Sequence, residues 1–166
     1  MIVKQEILFN DDECDEIIKL PKNNHQKWKG SNRKYDSFSI DISDENIWIF
    51  DRLKRFFEGS IKTEISSIKK QIHYHEFSEG DFFSVHNDNR DNRIYSVGVL
   101  LNDNFEGGNF NLYNPDLVTL DKNQGNAYIF DVNISHEITT VVSGKRLSLI
   151  WFLQIDNFEI NTKRII

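Results

Sequence analysis

The segment from residue 80 to residue 88, GDFFSVHND, joins a glycine turn, a short apolar strand and an H-x-D pair formed by His86 and Asp88. Alternate side chains of a strand point to the same face, so these two residues can reach one ligand together. His136 lies far along the chain and can arrive from a distant strand. Two imidazoles and one carboxylate on one face of an octahedron hold non-haem Fe(II) and leave its other positions open. The sequence therefore predicts a metal site formed by His86, Asp88 and His136.

The apolar pattern around this segment is that of short strands. After Ser60 the spacing of apolar residues approaches two, and turn sequences such as Asn123-Gln124-Gly125 separate the apolar runs. Two packed sheets accommodate many short strands and enclose a ligand, so we expect a jelly roll, also called a double-stranded β-helix. The predicted strands lie near 61–66, 69–77, 81–86, 94–101, 109–113, 117–120, 127–131, 136–142 and 146–154.

The first 60 residues carry two helical patterns. Asn10 and the acidic residues after it predict the start of a helix that ends before Pro21. Apolar residues three and four apart predict a second helix from Ser43 or Asp44 to about Phe57, ended near Gly59. Residues 22–37 are polar and turn-rich, so we expect a loop there, with at most a short strand around residues 38–40.

We expect one domain for the whole chain, residues 1–166, because this length suits a single hydrophobic core and no linker or repeat interrupts it. An N-terminal helical part, about 1–60, is expected to pack on one sheet of the jelly-roll core, about 61–155. The predicted fold class is therefore mostly β with a helical buttress.

Composition excludes several classes of function. The formal net charge of -6 gives no general electrostatic footprint for nucleic acid or an anionic membrane. No stretch approaches the roughly 18 apolar residues that cross a bilayer, and the first residues lack the apolar run of a signal peptide. We therefore expect a soluble, cytoplasmic protein that binds neither nucleic acid nor membrane. The single cysteine, Cys14, cannot form an internal disulfide and is interpreted as a small buried hydrophobe.

Several short motifs follow one another between about residue 7 and residue 154. They are Asp12-Glu13-Cys14-Asp15-Glu16-Ile17-Ile18, Gly80-Asp81-Phe82-Phe83 before His86-Asn87-Asp88, Phe105-Glu106-Gly107-Gly108, Gly125-Asn126-Ala127-Tyr128-Ile129-Phe130, His136-Glu137-Ile138, and Ser143-Gly144-Lys145-Arg146-Leu147-Ser148-Leu149 before Trp151. Each motif alone is weak, whereas their order is specific. In this order the chain resembles the 2-oxoglutarate- and Fe(II)-dependent dioxygenases of the prolyl 4-hydroxylase-like group.

The resemblance implies an enzyme with His86, Asp88 and His136 as catalytic ligands of Fe(II). Its cosubstrates would be 2-oxoglutarate and O2, with ascorbate as a candidate reductant. In this family a basic residue ten positions beyond the second histidine binds the distal carboxylate of 2-oxoglutarate, and Arg146 occupies that position. A guanidinium suits this task because its planar fork donates two parallel hydrogen bonds and stays charged. Strand alternation should turn the neighbouring Lys145 the other way.

The chain departs from the family pattern at two positions near the expected cosubstrate. Leu100 and Phe77 stand where relatives often carry tyrosines. The loss of one hydrogen bond to a charged group weakens binding by about 1.5–3 kcal/mol. Three other tyrosines are candidates to replace the missing hydroxyls, and the sequence does not rank them: Tyr74, Tyr95 and Tyr128.

Two further sequence features can be interpreted either as parts of a functional site or as structural elements. His73 and His75 lie on one face of a predicted strand and, with Glu79, resemble part of a cupin metal motif. We reject that interpretation because the surrounding cupin pattern of glycine and proline is missing, and we expect sheet packing or a substrate contact instead. For Gly107 and Gly108 a tight turn is the expected role.

The reaction implied by the resemblance is hydroxylation of an unactivated C–H bond, with succinate and CO2 as coproducts. A prolyl or other amino-acid residue of a peptide or protein is the favoured substrate, and a free amino acid or a carrier-bound small molecule is the alternative. Two polar segments are candidate substrate contacts, residues 22–37 with Trp28, Arg33 and Tyr35, and residues 87–93, whose arginines could meet an acidic group. Solvated surface is the alternative for both segments.

Two rival functions use the same residues. A non-catalytic metal-binding jelly-roll module would keep the fold without turnover, but the presence of all four site residues argues against such a loss. A zinc hydrolase would place a water on the same ligands and would leave Arg146 without a task. The sequence leaves the oligomeric state open.

Overall fold

The computed structural model of the chain describes residues 2–61, 64–65, 71–154 and 160–161. These residues form two helices, α1 (Asp11–Ile18) and α2 (Ile47–Ile61), and fifteen strands. The strands are β1 (Ile2–Ile7), β2 (Asn23–Lys29), β3 (Arg33–Asp41), β4 (Glu64–Ile65), β5 (Gln71–Phe77), β6 (Phe82–His86), β7 (Arg93–Leu100), β8 (Glu106–Gly107), β9 (Phe110–Tyr113), β10 (Leu117–Thr119), β11 (Asn126–Asp131), β12 (Ser135–Ile138), β13 (Val141–Ser143), β14 (Arg146–Gln154) and β15 (Ile160–Asn161).

Most strands belong to one antiparallel sheet of eleven strands that curls into a half-barrel. Their order is β1-β11-β7-β14-β5-β3-β6-β12-β9-β10, and β2 extends the sheet by pairing with β3. Two short pairs, β8 with β13 and β4 with β15, lie outside this sheet. The curled antiparallel architecture confirms the predicted mostly β jelly-roll class.

Both helices pack against the sheet through one apolar core. Phe50 and Phe57 of α2 are buried in this core with Trp151 of β14, and the Phe57 and Trp151 rings meet edge to face with centroids 5.8 Å apart. Cys14 and Ile17 of α1 are buried in the same core. Full burial of a side chain of this size stabilises the fold by roughly 1.5–3 kcal/mol, so these contacts hold the helices on the sheet. The predicted helical buttress is confirmed.

Helix α1 begins where the sequence predicts. The Asn10 side chain accepts a hydrogen bond from the Glu13 backbone at 2.8 Å, and the Glu13 carboxylate accepts one from the Asn10 backbone at 3.0 Å. This reciprocal capping box satisfies two amide groups that the first helical turn leaves without partners. Glu13 also forms an ion pair of 2.5 Å with Arg52 of α2, which ties the two helices together.

Residues 22–37 form a hairpin, so the predicted loop is wrong. Strands β2 and β3 pair in antiparallel fashion, and the Gly30 amide closes the turn by donating to the Arg33 carbonyl at 2.9 Å. Among the described strands β2 pairs only with β3, and nearly all of its side chains are exposed. An edge strand of this kind does not show the alternation of apolar and polar residues that reveals a half-buried strand.

Other boundaries also differ from the predictions. Helix α2 begins at Ile47 and continues through Gly59 to Ile61, so Gly59 does not end it. Strand β1 was not predicted, and the predicted strand 136–142 is divided into β12 and β13. The predicted strands 61–66 and 69–77 fall partly on residues 62–63 and 66–70, which lie outside the described residues.

Cys14 is buried, as the sequence predicts. Burial raises the pKa of its thiol to about 12, and the neighbouring Asp11 and Asp15 add to the effect. The thiol is therefore protonated at neutral pH and lacks the thiolate needed for reaction. Within the described parts of the chain, none of the helices has the length and apolar character needed to cross a membrane.

Two glycines should respond in opposite ways to alanine. Gly125 has a φ of +86°, and a Cβ there would lie 1.9 Å from the Phe9 carbonyl oxygen, so Gly125→Ala should lower the free energy of unfolding by about 2 kcal/mol or more. Gly59 lies within α2 with no heavy atom within 4 Å of a Cβ, so Gly59→Ala should raise it by about 0.5–1 kcal/mol. Urea denaturation measures both, and equal effects of the two variants would contradict this account.

Candidate metal centre

The two candidate histidine ligands face each other across a strand pair. His86 ends β6, His136 lies in β12, and the antiparallel register makes these two residues direct partners. Directly opposed side chains point to the same face of a sheet, with Cβ atoms about 5 Å apart. The two ring centroids are 4.3 Å apart. The register of β6 and β12 thus brings together two residues that are distant in the sequence.

Hydrogen bonds leave the same nitrogen of each ring free for a metal. His86 Nδ1 lies 2.7 Å from the Ser84 carbonyl, and His136 Nδ1 lies 3.0 Å from the Ile134 carbonyl. A carbonyl only accepts, so both Nδ1 atoms donate and both Nε2 atoms of the neutral rings carry a lone pair. His86 Nε2 lies 3.6 Å from Asp88 Oδ1, and His136 Nε2 lies 3.4 Å from Asp88 Oδ2.

The surroundings keep the candidate ligands in the charge states that a metal requires. Burial lowers the pKa of His86 to about 4, and the nearby His136 adds to this shift. Burial alone would raise the pKa of Asp88, but its contacts with His136, Ser96 and His86 outweigh burial and hold that pKa at about 2. At neutral pH His86 is therefore neutral and Asp88 is ionised.

Asp88 is fixed from two directions just beyond the end of β6. Its backbone amide donates to the Val132 carbonyl at 3.0 Å. Its Oδ2 accepts a hydrogen bond of 2.6 Å from the buried hydroxyl of Ser96 in β7. This bond orients the carboxylate towards the two imidazoles. Sequence reasoning missed Ser96, because a serine in a strand gives no signal of such a contact.

Aromatic rings surround the two imidazoles. Phe83 stacks on His86 with centroids 3.6 Å apart, and Phe110 stacks on His136 at 5.4 Å. Phe130 meets the His136 ring edge to face at 4.8 Å. These rings line a cavity of about 40 Å³ beside the three ligands, together with other mostly apolar side chains. Such walls limit water and hold the imidazole rings in place.

Arg146 is a buried cation with no carboxylate partner among the described residues. It is 2 % exposed, its Nε donates to the Gly108 carbonyl at 3.0 Å and its Nη1 donates to the Ser148 hydroxyl at 3.2 Å. Burial lowers the pKa of Arg146, and Tyr128 acts in the opposite direction. The guanidinium still stays charged. A buried charge without a counter-ion costs free energy, so this position suits an anion from outside the chain.

Tyr128 is the tyrosine that lies beside Arg146. Both side chains line a small cavity of about 10 Å³, and Tyr128 also lines the cavity at the metal ligands. The Tyr128 hydroxyl is buried and has no hydrogen-bond partner within the described part of the chain. Its ring lies over Gly98 of β7, where a Cβ would come within 2.2 Å of it. Gly98 therefore provides the space that Tyr128 occupies.

The other candidate tyrosines lie elsewhere. Tyr74 is buried in the helix-side core, and Tyr95 packs with its ring edge to face against Phe57. Leu100 and Phe77, which stand at the family's tyrosine positions, are both buried, and Phe77 stacks on Tyr35. Of the three tyrosines left open by the sequence, Tyr128 is the one with a free hydroxyl next to Arg146.

His73 and His75 do not join the metal cluster. The described residues contain one group of three metal-binding side chains, which is His86, Asp88 and His136. His75 lines the cavity beside Asp88, and burial lowers its pKa to about 3. It is therefore a neutral wall of the site. Gly107 lies in strand β8 and not in the expected tight turn, and it serves close packing, because a Cβ there would lie 2.2 Å from the Thr140 carbonyl oxygen.

The three donor atoms fit a first-row transition metal. Ligands that occupy adjacent octahedral positions, with bonds of about 2.1 Å to nitrogen or oxygen, lie about 3 Å apart. The measured separations of 3.4 and 3.6 Å approach this value, and all three atoms lie within 4.8 Å of one another. Two neutral imidazoles and one carboxylate are also the donor set that suits Fe(II).

The family model described as the 2OG-Fe(II) oxygenase superfamily matches residues 71–154, which is half of the chain. The chain belongs to this superfamily. It is a 2-oxoglutarate-dependent dioxygenase, its cofactor is Fe(II), and its cosubstrates are 2-oxoglutarate and O2. The match favours the oxygenase interpretation over the zinc hydrolase and the non-catalytic module. No curated protein matches the chain.

Solved structures of similar proteins confirm the jelly-roll fold. A Pseudomonas putida prolyl-4-hydroxylase is 18% identical with a TM-score of 0.66, covering 91% of this chain and 91% of that chain. A viral collagen prolyl hydroxylase from Paramecium Bursaria Chlorella virus-1, solved as a 2OG complex, is 16% identical with a TM-score of 0.69, covering 90% and 93%. A Trichoplax adhaerens prolyl hydroxylase, solved with a hypoxia inducible factor peptide fragment, is 18% identical with a TM-score of 0.61, covering 86% and 75%.

The unpaired charge of Arg146 should reduce stability. Replacing Arg146 with methionine removes a buried charge and keeps an unbranched apolar side chain, so Arg146→Met should raise the free energy of unfolding by about 1 kcal/mol or more. Arg52→Met is the matched control, because Arg52 is paired with Glu13, and that variant should lose stability. Urea denaturation measures both changes. A loss for Arg146→Met would mean that the bonds to Gly108 and Ser148 outweigh the cost of burial.

Proposed function

We propose that this chain is a hydroxylase in which His86, Asp88 and His136 hold Fe(II) and Arg146 binds 2-oxoglutarate. It acts on an unactivated C–H bond of an amino-acid residue in a peptide or protein, with proline as the first choice, and forms succinate and CO2. The convergence of two histidine Nε2 atoms on one ionised carboxylate carries this proposal.

The protein residues fix the geometry in which the cofactor works. The chemistry that Fe(II) supplies when bound is the activation of O2, with 2-oxoglutarate oxidised to succinate and CO2 and one oxygen atom inserted into the substrate C–H bond. The carbonyls of Ser84 and Ile134 hold the two imidazoles with Nε2 directed at the site. Ser96 holds the Asp88 carboxylate by its hydrogen bond. Such supporting contacts typically change metal affinity or activity by about 10–100-fold.

The aromatic walls protect the reaction. Phe83, Phe110 and Phe130 pack directly on the imidazoles and leave little room for bulk water beside them. Exclusion of water strengthens the electrostatic contacts of the site and suppresses side reactions.

The distal carboxylate of 2-oxoglutarate pairs with Arg146 and accepts a hydrogen bond from Tyr128. Lys122 lines the same small cavity and adds a second positive charge close to Arg146. Phe110 and Tyr128 line both this cavity and the one at the metal ligands, with ring centroids 4.8 Å apart.

A groove suited to a substrate opens beside the candidate metal centre. This groove, which we name the hairpin groove, has a volume of about 250 Å³ and is lined by hairpin β2–β3, the loop after β6 and Phe152. Trp28 and Tyr35 give it aromatic surface, and it shares Asp88 with the metal site. Two similar structures, a viral collagen prolyl hydroxylase and a prolyl hydroxylase in complex with a peptide fragment, favour a peptide substrate. A free amino acid or a carrier-bound small molecule is the alternative.

Removal of the Asp88 carboxylate should abolish turnover. The unmodified protein, supplied with Fe(II), 2-oxoglutarate, air and a pool of proline-containing peptides, should form succinate, because all site residues are present. Asp88→Ala should bind Fe(II) weakly and form no succinate above background, because the anionic ligand is lost. Asp116→Ala, which removes an exposed carboxylate in the β9–β10 turn, is the control and should keep full activity.

Two results would count against the proposed function. Unchanged succinate formation by Asp88→Ala would exclude Asp88 as a ligand. Absence of succinate from the unmodified protein with every substrate pool, despite stoichiometric bound iron, would favour a non-catalytic module.

The Tyr128 hydroxyl should contribute to cosubstrate affinity. Tyr128→Phe removes one hydrogen bond to the distal carboxylate, so the dissociation constant of 2-oxoglutarate should rise about tenfold with little change in kcat. Anaerobic calorimetric titration of the Fe(II) protein measures this constant without turnover. Tyr74→Phe is the control, since Tyr74 is buried in the helix-side core. An unaltered constant in Tyr128→Phe would mean that the carboxylate binds without this residue.

A further inference from the structure

A second unpaired cation lies in the hairpin groove. The Arg93 side chain is 10% exposed, and its Nε and Nη1 are buried without a hydrogen-bond partner among the described residues. Its guanidinium carbon lies over the Phe152 ring, 3.6 Å from the ring centroid. Phe152 lines both the hairpin groove and the cavity at the metal ligands. The free donors of Arg93 are therefore close to the place where the reaction occurs.

The acidic groups near Arg93 do not neutralise it. Asp91 lies at 4.0 Å from Arg93 Nη2, and its side chain is 66% exposed, so water screens this contact. Asp88 also lines the groove, but in the proposed function its charge is used by the metal. Burial, followed by the like charge of Arg90, lowers the pKa of Arg93, and the charges of Asp88 and Asp91 offset part of this effect. Leaving a buried guanidinium in this state costs free energy unless an anion binds.

The whole groove carries positive charge. Arg33 and Arg90 line it together with Arg93, while Asp88 is the only carboxylate among its described lining residues. Arg33 is held in place by stacking on Trp28, with its guanidinium carbon 3.5 Å from the ring centroid. This concentration of arginines stands out in a chain with a net charge of -6. A cleft lined by one sign of charge raises the local concentration of the opposite charge.

A strained turn places Arg90 and Arg93 at the same edge of the groove. The Arg93 amide donates to the Arg90 carbonyl at 3.0 Å, and the two residues between them have positive φ angles, 53° for Asp91 and 56° for Asn92. Asp and Asn tolerate this left-handed conformation better than other residues with a side chain, which explains their presence here.

We propose that the substrate carries a carboxylate that binds to Arg93 in the hairpin groove while the reacting C–H bond lies at the metal. This inference rests on the proposed function and narrows its substrate class to acidic peptides or free amino acids. The guanidinium over Phe152 keeps N–H donors without a partner, and a planar carboxylate can accept hydrogen bonds from such donors. The two sources of such a carboxylate are the side chain of Asp or Glu beside the target residue and the α-carboxylate of a free amino acid.

The test compares acids with their amides in the Fe(II) protein. In the peptide pair, proline lies between two glutamates in the acid and between two glutamines in the amide. The small-molecule pair is proline and prolinamide. Succinate formation and a gain of one oxygen atom in the substrate, measured by mass spectrometry, report turnover. Fluorescence polarisation of labelled peptides with anaerobic Fe(II) and 2-oxoglutarate reports binding. We expect the acid of one pair to be preferred by at least tenfold, and the preferred pair identifies the source.

Variants assign the preference to Arg93. Arg93→Gln should reduce the ratio between acid and amide to about one, and Arg93→Lys should keep part of it. Arg55→Gln is the matched control, because Arg55 is exposed on α2 and does not line the groove. Two results would overturn the inference: equal turnover of acid and amide by the unmodified protein, or an unchanged preference for the acid in Arg93→Gln. If succinate still forms in these experiments, the proposed function stands. Absence of succinate overturns the proposed function, and the polarisation assay still decides whether Arg93 binds a carboxylate. The acid–amide comparison needs no variant, so it holds even if Arg93→Gln fails to fold.

Discussion

The pairing of β6 with β12 is the constraint on which the site depends. Its register sets His86 opposite His136, and a slip of one residue would turn one ring to the other face of the sheet. The same curled sheet brings Ser96 of β7 against Asp88. The helices contribute indirectly, since their apolar faces hold β14 and β11 in the shared core. The geometry of three polar side chains is thus a consequence of strand register and apolar burial.

The cluster of candidate metal ligands could be predicted because H-x-D at the end of a strand and a distant histidine are local patterns with a chemical meaning. Three other features were not predictable, because each depends on tertiary neighbours. Strand β2 has no buried face to set a pattern, the position of Tyr128 beside Arg146 depends on the space left by Gly98, and Arg93 is enclosed by residues distant in the sequence, such as Phe152. The sequence identifies the polar segments 22–37 and 87–93 as candidate substrate contacts, but it does not predict the structure of either segment.

Two of the charged groups buried in the cavities have the opposite sign to the net charge of the chain. The chain is acidic, yet its cavities contain two buried guanidinium groups, Arg146 and Arg93, that lack a buried carboxylate partner among the described residues. Both have to be stabilised in other ways, by carbonyl and hydroxyl contacts for Arg146 and by ring stacking for Arg93. A buried cation without a carboxylate partner lowers the free energy of unfolding, and proteins accept this loss at sites that bind an anion from solution.

The positions of these two arginines separate two acidic molecules. Arg146 is the first residue of β14. Arg93 of β7 pairs with Gln154, which is the last residue of β14. Gln154 lies eight residues beyond Arg146 along β14. At about 3.3 Å per residue, the backbones of Arg146 and Arg93 are roughly 26 Å apart. Phe110 and Tyr128 line the cavities on the Arg146 side, and Phe152 lies on the Arg93 side. A diacid held at Arg146 therefore leaves Arg93 free, so cosubstrate and acidic substrate can bind together instead of competing for one cation.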